Sequence, residues 1–77
     1  MNQDEILNVI KAIFDAKPML QGIDNDAVLF DLGVSSLTIV DLQFQVEDSL
    51  GIKVSTEMLM ENPTIEGWAE AYADFGA

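Results

Sequence analysis

Residues 31–43 read "DLGVSSLTIVDLQ", and the parsing of this stretch decides the fold. Gly33 marks a turn, Ser35 and Ser36 stand where a helical pattern begins, and apolar residues then recur at helical spacing as far as Leu50. Parsed as turn, serine cap and helix, the stretch predicts an α-helix over 36–50 with Gly51 as a left-handed cap. At about 100° per residue the apolar positions of that helix fall into two groups. Ile39, Leu42, Val46 and Leu50 share one arc and read as a core face. Leu37, Val40 and Phe44 lie nearly opposite, flanked by Asp41, Glu47 and Asp48, which is the pattern either of a docking stripe for a partner with a basic rim or of a face covered by the connection over 17–35.

Upstream, Ile6, Val9, Ile10, Ile13 and Phe14 follow the i, i+3, i+4, i+7, i+8 pattern of one helix face, predicting a helix over 4–16 that stops ahead of Pro18. The connection over 17–35 is too apolar to lie free in solvent. Its Met19, Leu20, Ile23, Val28, Leu29 and Leu32 are expected to press onto the helices, and the pattern leaves open whether it contains a helical turn. Downstream, a short helix over 57–61 follows a cap at Ser55 or Thr56. Asn62 and Pro63 break it, and Thr64 caps a last helix striped by Ile65, Trp68, Ala69, Tyr72 and Phe75. The expected fold is all-α: a four-helix bundle in one domain over 1–77, with three main helices, a short third helix and a long loop between the first two.

Fourteen acids against three lysines leave 77 residues with a formal charge of −11, which repels nucleic acid and anionic membrane surfaces and attracts proteins with basic docking patches. No apolar run is as long as a membrane span, and the opening "MNQDEILNVIK" has no basic region followed by a hydrophobic block, so a cytoplasmic monomer is expected. The sequence has neither cysteine nor histidine, which removes disulfides, thiolate metal sites, the usual zinc ligand and the commonest catalytic base. Asp24 and Asp26 stand at the first and third positions of a calcium-loop pattern, but Leu29 fills its glycine position and Ser35 its glutamate position, so no metal site is expected.

For Ser35 or Ser36 to act as a nucleophile, a general base must lie within hydrogen-bond reach, and only lysines and exposed carboxylates are on offer. An enzyme is not expected. The start of a helix offers a serine something else: unpaired backbone N–H groups and the positive end of the helix dipole favour a phosphate. With Ser35 as N-cap, Ser36 becomes the first helical residue, its hydroxyl outward and one turn from Val40. Such a hydroxyl is better placed to receive a phosphate ester than to attack anything.

The stretch "DLGVSSLTIVDLQFQVEDSLGIKVS", residues 31–55, resembles the acyl carrier protein and peptidyl carrier protein superfamily, and the likeness extends over essentially the whole chain, from the helix at Asp4 to the last helix. The shared features are the leucine-glycine turn, a serine followed by leucine at the head of the second helix, an acidic stretch ending in "GIKV", and the "NPTI" entry to the last helix. The resemblance implies that Ser36, the serine before Leu37, is esterified with 4'-phosphopantetheine taken from coenzyme A by a phosphopantetheinyl transferase. It further implies that the arm's thiol carries an acyl or aminoacyl group as a thioester, placed there by a loading enzyme and delivered to synthase or transferase enzymes. Leu37, Val40, Asp41, Phe44, Glu47 and Asp48 would form the partner surface, and by analogy Leu42, Val46, Met58, Leu59 and Ile65 would line a cargo cleft. Ser35 replaces the family's usual aspartate, and Thr38 and Ser49 stand where fatty-acid carriers often have acids, pointing to a dedicated polyketide, nonribosomal peptide or specialised lipid pathway. The rival reading is a noncovalent acidic adaptor that binds a basic protein through Leu37, Val40 and Phe44.

Overall fold

A computed structural model describes residues 2–75, the side chain of Phe75 excepted. The order of elements is α1 (Gln3–Asp15), a first 3₁₀ turn (Pro18–Leu20), a second 3₁₀ turn (Leu29–Leu32), α2 (Ser36–Leu50), α3 (Thr56–Glu61) and α4 (Ile65–Phe75). The fold is an all-α bundle, with no strand among the described residues. Nor is any described helix long and apolar enough to cross a membrane.

α1 begins and ends one residue earlier than its apolar spacing predicts, because Asn2 is the cap: its side chain accepts a 2.8 Å hydrogen bond from the Glu5 N–H. Asp4 and Glu5 then occupy the first turn, where the helix dipole favours acids. Ile6, Ile10 and Phe14 are buried along one face and meet α4, which contributes Ile65, Trp68, Ala69 and Tyr72 to the core. The rings of Phe14 and Trp68 meet edge to face, 5.2 Å between centroids. Phe75, the last residue of the expected stripe, has its side chain outside the described residues. Thr64 does cap α4, its Oγ1 accepting from the Gly67 N–H at 2.8 Å, and the Trp68 indole N–H reaches back to the Leu59 carbonyl at 3.2 Å, tying α4 to α3. Ser55, not Thr56, caps α3.

α2 packs Ile39, Leu42 and Val46 against the bundle at zero exposure, with Leu50 half-buried, and ends at Gly51, whose φ of 68° needs a residue without a Cβ penalty. The long connection is held by its backbone as well as its side chains. The Gly22 N–H donates to Asp15, Leu29 N–H to the Pro63 carbonyl, and the Asn25 carbonyl accepts from Glu66 N–H. The expectation that all six of its large apolar residues press inward needs correcting. Leu20 and Leu29 are fully buried and Ile23 is half-buried, whereas Met19, Val28 and Leu32 remain exposed. In so tight a path neighbours cannot point the same way: Leu20 and Leu29 take the inward positions, and Met19, Val28 and Phe30 beside them are turned out. Val34, which no pattern marks, is the third inward anchor.

Candidate functional site

The second 3₁₀ turn ends at Gly33, whose φ of 85° lets the chain reverse with its N–H on the Phe30 carbonyl at 3.2 Å. Val34 is buried immediately after, so the entry to α2 is clamped on both sides of one residue. Ser35 is extended and commits its oxygens to the helix start: Oγ accepts from Thr38 N–H at 3.3 Å and also pairs with Thr38 Oγ1 at 3.2 Å, while its carbonyl accepts from Ile39 N–H. Ser36 follows as the first helical residue and is exposed. Thr38, noted in the sequence only for lacking a charge, reinforces the cap through its hydroxyl.

Beside Ser36, the apolar stripe stands in solvent: Leu37 is 83% exposed and Phe44 68%, with Val40 at the edge of the patch. The loop over 17–35 does not cover them. Apolar surface continues on the second 3₁₀ turn, where Phe30 and Leu32 are exposed just ahead of the serines. The sequence gives only one sign of it, that Phe30 adjoins an inward leucine.

The three acids of the border differ. Asp41 accepts from Lys17 Nζ at 2.8 Å and from Gln45 at 3.0 Å. The Lys17 hydrogen bond, and then its charge, hold the Asp41 carboxyl below the usual carboxylate range. Glu47 turns toward the loop after α2, accepting from Gln43 Nε2 at 3.2 Å and from Val54 N–H at 3.3 Å. Gln43 completes a network, donating also to the Val54 carbonyl at 3.1 Å and accepting from Thr56 Oγ1 at 2.6 Å. Asp48 is exposed on the helix surface. Above the network lies a cleft of about 110 Å³ lined by Val40, Gln43, Phe44, Glu47 and Thr56. Of the residues expected around a cargo cleft, Leu42, Val46 and Leu59 are wholly buried, Ile65 nearly so, and Met58 half-buried. Asp24 and Asp26 are exposed turn residues, and the described residues contain no cluster of three potential metal ligands.

An exposed hydroxyl at a helix N-terminus, set in an apolar patch on an acidic protein, suits a group joined through phosphate: N–H groups and dipole meet the anion while the surroundings admit an incoming enzyme. Residues 4–72 match the family model described as "Phosphopantetheine attachment site", and the chain belongs to that family. It is a carrier protein whose cofactor is covalent 4'-phosphopantetheine, and carrier domains of this family are themselves non-catalytic. Comparison with curated proteins and with solved structures gave no match.

Proposed function

We propose that Ser36 bears the 4'-phosphopantetheine and that the chain is a dedicated acyl or aminoacyl carrier. The observation that carries this reading is the division of labour between adjacent serines: Ser35 Oγ is engaged as the helix cap, whereas Ser36 is exposed at the first helical position. In the modification, the Ser36 oxygen bonds to the phosphorus next to the pantetheine of coenzyme A. The bond from that phosphorus to the adenine nucleotide breaks, the nucleotide leaves with the electron pair, and the hydroxyl proton passes to the transferase. Once bound, the group supplies a thiol that holds cargo as a thioester. The chain's own residues fix the attachment point, offer Leu37, Val40 and Phe44 as an apolar docking face, and border it with Asp41, Glu47 and Asp48 for enzymes with basic patches.

The partners on this reading are a phosphopantetheinyl transferase, a loading enzyme, and the synthase or transferase that consumes the cargo. Uncharged Ser35, Thr38 and Ser49 support service to a dedicated polyketide, nonribosomal peptide or specialised lipid pathway, and on this reading the carrier works as a monomer in the cytoplasm. Intact-mass measurement after incubation with coenzyme A and a broad-specificity transferase tests the reading. One phosphopantetheinyl addition is expected on the wild type and on Ser35→Ala, and none on Ser36→Ala. Addition to Ser36→Ala would contradict it, and a wild type that stays unmodified would favour the noncovalent adaptor.

A further inference from the structure

Cargo on a carrier has two places to go: into the core between helices, or outside against the surface. In this protein the seam between α2 and α3 decides between them. An alkyl chain entering there must part the two helices, and the seam is stitched by polar side chains. Gln43 holds Thr56 at the start of α3 and the Val54 carbonyl before it, and Glu47 holds both Gln43 and the Val54 N–H. Gln43 is 9% exposed, so pulling these partners apart strands polar groups in a poorly solvated place, and an alkyl chain returns none of the lost hydrogen bonds. Behind the seam Leu42, Val46 and Leu59 are at zero exposure, a closed core that an entering chain would have to part.

The opening that does exist at the seam is small. Its 110 Å³ hold three or four groups the size of a water molecule, at ~30 Å³ each, between Val40 and Phe44 and the latch residues Gln43, Glu47 and Thr56, too little for a long alkyl chain. The hydroxyl of Tyr72 is buried, has no hydrogen-bond partner among the described residues, and lies within the field of the Glu47 carboxylate.

We infer that this carrier keeps its cargo out of the core: the Gln43, Glu47, Val54 and Thr56 latch holds α2 against α3, and the cargo class is short acyl or aminoacyl groups, not long alkyl chains. The inference rests on Ser36 as the attachment point. It is tested by transferring acetyl- and octanoyl-phosphopantetheine from the corresponding coenzyme A thioesters onto the full chain, confirming each load by intact mass, and recording the melting temperature and the fluorescence of Trp68, the single tryptophan, in the core. The two loaded forms should melt within about 1 °C of each other with identical Trp68 emission. Burying the additional methylenes of octanoyl would instead raise the melting temperature by roughly 10 °C or more, and that rise with a shifted emission would overturn the inference. In Gln43→Leu/Thr56→Val, and in the milder Thr56→Val, the opened seam should admit octanoyl and show a rise of several degrees that the wild type lacks. If these variants also ignore chain length, the latch is not what excludes the cargo. Failure of either load to attach to Ser36 would remove the carrier reading as well, whereas attachment followed by octanoyl protection would remove the latch alone.

Discussion

The two faces of α2 are made of the same kinds of residue and meet opposite fates. Ile39, Leu42 and Val46 are wholly buried, while Leu37 and Phe44, on the other side of the same helix, are mostly in solvent. Hydrophobicity does not distinguish the two sets; what reaches them does. α1 covers the inner face. The long connection comes within reach of the outer face, where Lys17 bonds Asp41, yet its apolar anchors Leu20, Leu29 and Val34 all point into the core. The outer face is thus left uncovered by the chain itself, on a protein whose charge of −11 keeps such a patch soluble. Exposure of this kind, next to a serine that takes no part in capping, is what the proposed docking of enzymes on this face rests on, and what sets it apart from a wide core face.

Truncation on the two faces should separate them most sharply. Leu42→Ala leaves a cavity in a close-packed core and should cost about 2–5 kcal/mol in urea or thermal unfolding. Phe44→Ala should cost less than about 0.5 kcal/mol in the same measurement, while lowering kcat/KM of a partner enzyme for the loaded carrier by about tenfold, as expected of an aromatic interface anchor. Equal losses of stability at the two sites would erase the distinction between the faces.

Much of this was legible in the residues. The stretch over 31–43 gives the turn, the Ser35 cap, the helix and its two faces, and the match over 4–72 agrees with the resemblance it suggests. The 3₁₀ turns were not, because elements of three and four residues are too short to show a period. Nor was the latch: Gln43 sits between core Leu42 and exposed Phe44, and its partners Val54, in the loop after α2, and Thr56, at the start of α3, lie eleven and thirteen residues away. The Lys17 and Asp41 pair spans 24 residues for the same reason. Sequence periodicity reports which face a residue occupies, but the partners of a polar side chain depend on how elements are placed.

That placement refines the electrostatic expectation. Reversing Asp41 or Glu47 would disturb contacts within the chain, whereas Asp48 is exposed at the border of the outer face. Asp48→Lys should slow encounter with a basic partner by a few-fold at low ionic strength, with the difference shrinking as salt rises. Equal association rates at low salt would show that the border plays no part in steering.

The smallest effect belongs to the inner side. Tyr72→Phe deletes a buried hydroxyl that has no partner among the described residues and should leave stability at neutral pH unchanged or slightly raised. Burial, and then the Glu47 charge, push the Tyr72 hydroxyl well above its ordinary value of 10.0. The unfolded chain therefore loses this proton first, so the contribution is intact below pH 10 and stability declines above it, by up to about 1.4 kcal/mol per pH unit. The alkaline decline should be shallower in Tyr72→Phe, and identical slopes would contradict burial of that hydroxyl.

The most direct measurement is fragmentation mass spectrometry of the modified chain, locating the arm on one of two adjacent hydroxyls. The account predicts phosphopantetheine on Ser36 with Ser35 bare. An arm found on Ser35, or a purified active protein with neither serine modified, would contradict it.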